Sequence, residues 1–205
     1  ATFLMGQLSQ KRKKTKDAED WYKKTVAVQR RLSSKGNVVG AQFAAEAKFH
    51  LVYKTYEELR SIRIPANPAN QGKAVQQKLA VLNRLKEELK EVIRYDDGFM
   101  IVASLALIGQ AYQHMAAAIY NAPVPKGLDA EGLKQYRAGV DQIAKPFQDE
   151  AVKNYEAAIE RSFKLESYNE WTKTAQRELH VITKDRFQDA GEKVILTKVP
   201  DWMDL

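Results

Sequence analysis

Apolar residues recur at helical spacing along most of the chain. Between residues 41 and 62, Ala45, Phe49, Val52, Tyr56 and Leu59 step by 4, 3, 4 and 3. Between 74 and 95, Val75, Leu79, Leu82, Leu85, Leu89 and Val92 step by 4, 3, 3, 4 and 3. Each series lays one apolar stripe along a helix, with Lys and Glu on the opposite side. Strand-like alternation is confined to Val194-Ile195-Leu196. Turn residues divide the pattern: Ser33-Ser34-Lys35-Gly36-Asn37 ends one helix, Ile64 to Asn70 separates the two long ones, and Asp96-Asp97-Gly98 is a tight turn. Asn121 to Gly127, with two prolines, reads as a rigid loop. Pro146 before Asp149 and Glu150 predicts a helix start, because proline fits the first turn and acids favour the positive dipole end. Ser167 with Glu170 predicts a capping box for the next helix. The expectation is an all-α chain of about eight helices.

The spacing of small and aromatic residues sharpens this expectation. Gly6, Ala18 and Tyr22 have the small, small, aromatic spacing of a tetratricopeptide (TPR) helix pair, whose unit is about 34 residues. Ala151, Tyr155 and Ala158 match the second helix of such a unit, and Leu105, Ile108, Gly109 and Tyr112 match a first helix. A small residue lets two helix backbones approach, and the aromatic fills the space beside them. Between the last two matches lie some 30 residues more than one unit needs. The predicted fold is therefore an α-solenoid of TPR-like pairs with a long insertion at about 113–146. The predicted organisation is one array over 1–184, comprising a basic first pair (1–34), a long pair (41–96) and C-terminal units (98–184). An extended tail follows at 185–205.

Three stretches carry a more specific resemblance: Asn121-Ala122-Pro123-Val124-Pro125-Lys126-Gly127-Leu128, Pro146-Phe147 through Ala158, and Tyr168-Asn169-Glu170-Trp171-Thr172. Together they resemble TPR proteins of myxobacterial-type adventurous gliding motility over roughly residues 100–185. The resemblance implies a scaffold in the cell envelope of Gram-negative bacteria, periplasmic or envelope-associated, that binds protein or peptide partners. A cytoplasmic location stays open as the alternative.

Composition removes several chemistries. The chain has 205 residues and no cysteine, so disulfides, thiolate metal sites and thiol nucleophiles are excluded. His50, His114 and His180 lie far apart in sequence, without the paired spacing of a helical metal site. Neither a nucleophile elbow nor a phosphate-cradling glycine loop is present. No catalytic residue, metal or cofactor is expected, and the chain reads as non-enzymatic. The longest apolar run, Phe99 to Ile108, is about half of the roughly 20 residues that a membrane helix needs. The first residues read as helix interior, which suggests a fragment or mature form of a longer protein.

What remains is binding. In a TPR array the first helix of each pair lines the groove. That register places Gln7 and Lys11, then Gln110, Gln113 and His114, then Gln176 and His180 on the inner face. Such a ladder of amides and ionisable groups suits the backbone of a peptide. The net charge of +7 is local: residues 1–40 hold ten basic and three acidic side chains, and the rest balances. The alternative function is a nucleic-acid or anionic-surface binding module acting through the basic segment 11–31. There Lys11, Arg12, Lys13, Lys14 and Lys16 form a turn able to attract nucleic acid, anionic lipid or an acidic partner. Nucleic acid is disfavoured, because Trp21 and Tyr22 fit the helix core and leave no platform for bases. Trp202, Met203 and Leu205 are costly in water, so the tail is expected to cap the array or to dock on a partner.

Overall fold

The computed structural model describes residues 1–36 and 38–184. Among these residues the chain is all-α and forms seven helices: α1 (Thr2–Lys11), α2 (Thr15–Ser33), α3 (Ala41–Ser61), α4 (Pro68–Ile93), α5 (Gly98–Tyr120), α6 (Ala130–Lys164) and α7 (Glu170–Thr183). The expected tail, with Trp202, Met203 and Leu205, lies outside the described residues.

Four helices start by one device, an Asn or Asp whose side-chain oxygen takes an otherwise unpartnered N–H. Asn67 accepts from Ala69 N at 3.1 Å and Asp97 from Met100 N at 2.9 Å. Asp129 accepts from Gly132 N at 2.8 Å and Asn169 from Trp171 N at 2.9 Å. Ser167 was the expected cap of α7, but Asn169 takes that place and pairs with Thr172 in a capping box. Asn169 directly precedes the first helical residue, Glu170, and Ser167 Oγ lies 3.4 Å from Asn169 Nδ2.

Each helix packs against the next. In addition α1 touches α3, α3 touches α5 and α5 touches α7, whereas α2, α4 and α6 touch only their chain neighbours. The odd-numbered helices therefore form a continuous row. The main core is built by α3 to α7 around α5, and a smaller cluster of Phe3, Ala18, Tyr22 and Ala47 joins α1 and α2 to α3. By length and composition α5 would suffice to cross a membrane, but 72% of its most apolar window is buried inside the protein.

The sequence predicts a helix start at Pro146, which would separate the segment before it from the one after. They are one helix, with exposed Pro146 inside α6. Local sequence signals a start there, but α6 packs on α5 on both sides of the proline. Ala144 and Ala151 are buried, and Phe147 meets Tyr112 at 6.4 Å between ring centroids. The expected insertion therefore appears as an extension: α5 runs on to Tyr120, the chain turns at 121–129, and α6 returns along it.

The α4 stripe also needs one correction. Leu79 is exposed and Lys78 is fully buried. Ala74, Lys78, Leu82, Leu85, Leu89 and Val92 make the buried face, and the side chain at 78 is a lysine because of what it meets there.

Candidate functional site

Two glycines bring helix backbones onto aromatic rings. A Cβ on Gly6 would lie 2.5 Å from Tyr22 Cε1, and one on Gly109 would lie 2.6 Å from Tyr155 Cε1. Each tyrosine then reaches one turn further along the glycine's helix. Tyr22 donates its hydroxyl hydrogen to Gln10 Oε1 at 2.6 Å, and Tyr155 donates to Gln113 Oε1. Glycine, a glutamine four residues on and a tyrosine from the following helix thus form the same lock twice. Burial pushes the Tyr22 hydroxyl up to about 12, aided by the Glu46 carboxylate, and drives Tyr155 higher still.

The row of odd-numbered helices carries most of the residues expected in a groove. Gln7 is half-buried and donates from Nε2 to Glu46 Oε1 at 3.4 Å, linking α1 to α3. Burial raises the Glu46 carboxyl, against the pull of the Gln7 bond. His50 stacks on Tyr22 with centroids 4.8 Å apart, and burial lowers its pKa, so its 3.7 Å approach to Glu46 is made by a neutral ring at pH 7. Gln10, Tyr22, His50 and Tyr53 line a cleft of about 280 Å³ between α1, α2 and α3.

Gln113 and His114 turn out to be internal ties. Gln113 accepts from Tyr155 and donates from Nε2 to Glu178 Oε2 at 3.2 Å, so one amide joins α5, α6 and α7. His114 meets the lysine that the periodicity had placed on the surface. Lys78 Nζ donates to Leu59 O at 2.6 Å and to Ile62 O at 2.9 Å, and it lies 3.1 Å from His114 Nε2. An ammonium offers three hydrogens and accepts none, so His114 Nε2 is the acceptor and its ring is neutral. All three donors are satisfied, two of them by carbonyls at the C-terminal end of α3, where the helix dipole favours a cation. Desolvation brings Lys78 down to about 8. Desolvation, with Lys78 and Arg60 nearby, brings His114 down to about 4. The four-residue step from Lys78 to Leu82 is the one local hint of this position, and the step from Leu79 competes with it.

The remaining expected residues are placed as follows. Gln110 is half-buried on α5, and His180 is half-buried on α7. Gln176 accepts from the Tyr168 hydroxyl at 2.9 Å. Lys11, Arg12, Lys13, Lys14 and Lys16 are exposed at the α1–α2 turn, away from α5 and α7.

Sequence reasoning missed an aromatic row on α3. Phe49, Tyr53, Tyr56 and Arg60 step by 4, 3 and 4. Phe49 meets Trp171 of α7 edge-on at 5.4 Å, and Tyr53 lies 6.5 Å from Phe49 and 5.5 Å from Tyr56. The Arg60 guanidinium sits 5.8 Å from the Tyr56 ring centroid. Phe49 and Tyr56 are buried, Tyr53 and Trp171 half-buried and Arg60 exposed, so the row passes from core to surface. Burial raises the Tyr56 hydroxyl, and Glu178 acts on it from α7. The signal was present in the α3 stripe, where aromatic rings stand in place of ordinary aliphatic residues.

A second, apolar cleft of about 560 Å³ lies where the extended α5–α6 hairpin meets α4, lined by Ile64, Val75, Ile119, Tyr136, Val140 and Ile143 among others. Among the described residues no group of three or more His, Asp or Glu side chains is placed to hold a metal ion. Compared with protein-family models, curated proteins and solved structures, the chain gives no match.

Proposed function

We propose that this chain is a non-enzymatic scaffold, a TPR-like superhelix that binds a protein or peptide partner along the row of its odd-numbered helices. One observation carries the reading: the row Phe49, Tyr53, Tyr56 and Arg60 on α3, with Trp171 of α7 against Phe49, on the helices that touch in succession. Tyr, Trp and Arg are the side chains that anchor protein interfaces, because each gives a large contact area with a polar or charged end. The two glycine–tyrosine locks support the helix-pair arrangement, since close packing of this kind is what a repeat array needs. Gln110, Gln176 and His180 add polar groups on α5 and α7. Gln7, Gln113 and His114 support the face from within. Membership of an envelope complex, periplasmic or envelope-associated, rests on the sequence resemblance alone.

Site-specific photo-crosslinking in the native cell tests the binding face. A photoreactive residue replacing Tyr53 or Gln110 should capture a discrete partner, and one replacing Lys90 on α4 or Lys153 on α6 should not. Equal capture from the even-numbered helices would refute the assignment. Fractionation of the same cells decides between envelope and cytoplasm.

A further inference from the structure

Helix α1 has two faces with different chemistry. Phe3, Gly6 and Ser9 are buried against α2 and α3. Opposite them Leu4, Met5 and Leu8 are 63%, 41% and 40% exposed, an apolar patch at spacings of 1 and 3 along one side of the helix. One turn further, the same side reaches Lys11 and Arg12, and the chain continues through Lys13 and Lys14 to Lys16. All five cations are exposed. None of the five forms an ion pair among the described residues. The nearest half-buried acid of α2 is already committed: Glu19 pairs with Lys23 at 2.9 Å and with Lys54. Their hydrogen bonds hold its carboxyl at about 2. Asp17, exposed in the first turn of α2, is the nearest acid in sequence, so the five cations keep a positive excess. The apolar patch and this cluster are contiguous on one short helix and its turn.

We propose that this surface docks on an anionic lipid membrane. The two parts require different things of one partner. Leu4, Met5 and Leu8 require an apolar phase, and Lys11 to Lys16 require negative charge beside it. A bilayer rich in acidic headgroups supplies both at the depth of a few ångströms that separates acyl chain from phosphate. Nucleic acid answers the cations and leaves the leucines in water. A second copy of the chain would bring together two segments that each carry +7 over residues 1–40. Neither half of the surface suffices alone, because a small apolar patch binds membranes marginally and a polybasic turn is screened by salt. Tyr53 lines the cleft between α1, α2 and α3, so a protein held there under the proposed function would be presented close to the lipid surface.

Vesicle sedimentation tests the proposal with phosphatidylcholine vesicles and with vesicles that also contain phosphatidylglycerol. The wild-type chain should partition at least about tenfold more strongly onto the anionic vesicles. The Leu4→Ser/Leu8→Ser and Lys11→Glu/Lys13→Glu/Lys14→Glu variants should each lose about tenfold in partition. Both sets of positions are exposed, and circular dichroism verifies that the variants fold. Added salt should weaken the wild type and the serine variant, whereas the glutamate variant should be insensitive. Equal binding to both vesicle types, or unchanged binding by the serine variant, overturns the proposal. So does retention on duplex DNA with no vesicle binding, which would assign the turn to nucleic acid. Self-association lost in the serine variant, again without vesicle binding, would assign the apolar patch to a second copy.

Discussion

Replacing Gly109 by alanine tests the packing at the centre of the fold. The new Cβ would lie 2.6, 2.7 and 3.1 Å from three carbons of the Tyr155 ring. Ordinary carbon contacts are about 3.5–4.0 Å, so ring and helix must separate by about 1 Å. The ring has little room to retreat: it is fully buried, and its hydroxyl is held by Gln113, which is itself bound to Glu178. Overpacking of this kind costs about 1–3 kcal/mol. Alanine regains about 1 kcal/mol of helix propensity, which leaves a net loss of up to about 2 kcal/mol. With a urea slope of about 2 kcal/mol/M, the unfolding midpoint should fall by up to about 1 M. Gly139→Ala supplies the control, because that glycine also lies inside a helix and has nothing within 4 Å of the added Cβ. It should raise the midpoint through propensity alone. In a Tyr155→Leu background, Gly109→Ala should cost nothing. The assay is equilibrium urea unfolding followed by circular dichroism and tryptophan fluorescence. If Gly109→Ala stabilises the protein as much as Gly139→Ala does, the close approach of α5 to Tyr155 is refuted.

Three further outcomes are expected. His114 titrates at about 4 in the folded chain and near 6.5 unfolded, so the unfolded state takes up the proton first. Stability is whole above pH 6.5 and falls by about 2–3 kcal/mol as pH drops toward 4. His114→Gln, which keeps an acceptor for Lys78, should show a shallower loss between pH 7 and 4.5, and parallel curves would rule out this linkage. Pro146→Ala should raise stability by about 1–3 kcal/mol by restoring an N–H inside α6, seen as a higher Tm; no change would mean that the helix already bends to absorb the proline. Asn169→Ala should cost about 1 kcal/mol through loss of the α7 cap, whereas Ser167→Ala should cost little; the reverse order would restore Ser167 as the cap.

The all-α character was legible because helix periodicity is a local signal repeated over many turns. The contacts of Gly6 with Tyr22 and of Gly109 with Tyr155 were legible as spacing, although the second pair is separated by an extra stretch of chain. Other features depended on neighbours that no local pattern contains. Pro146 looks like a helix start until α5 lies alongside to carry α6 through it. Leu79 looks like the core position until the end of α3 presents two carbonyls that need a cation at 78. Gln113 reads as a groove amide, but the buried Tyr155 hydroxyl claims its oxygen. The aromatic row was hidden for a different reason. Phe49, Tyr53 and Tyr56 satisfy the same periodicity as aliphatic core residues, and only the arrival of Trp171 from more than 100 residues away marks them as one feature.

The separation of the Phe3–Ala18–Tyr22–Ala47 cluster from the main core has a consequence for amide exchange. Among the described residues, α1 and α2 make their buried apolar contact with α3 through a cluster of its own. Buried ties such as Lys78 with His114, and Gln113 with Tyr155 and Glu178, couple α3 through α7 into one cooperative body. Protection should therefore fall into two levels, with α1 and α2 exchanging through a local opening and α3 to α7 only through global unfolding. The pair that bears the cationic turn would then be free to lift from α3 while α3 to α7 stay folded.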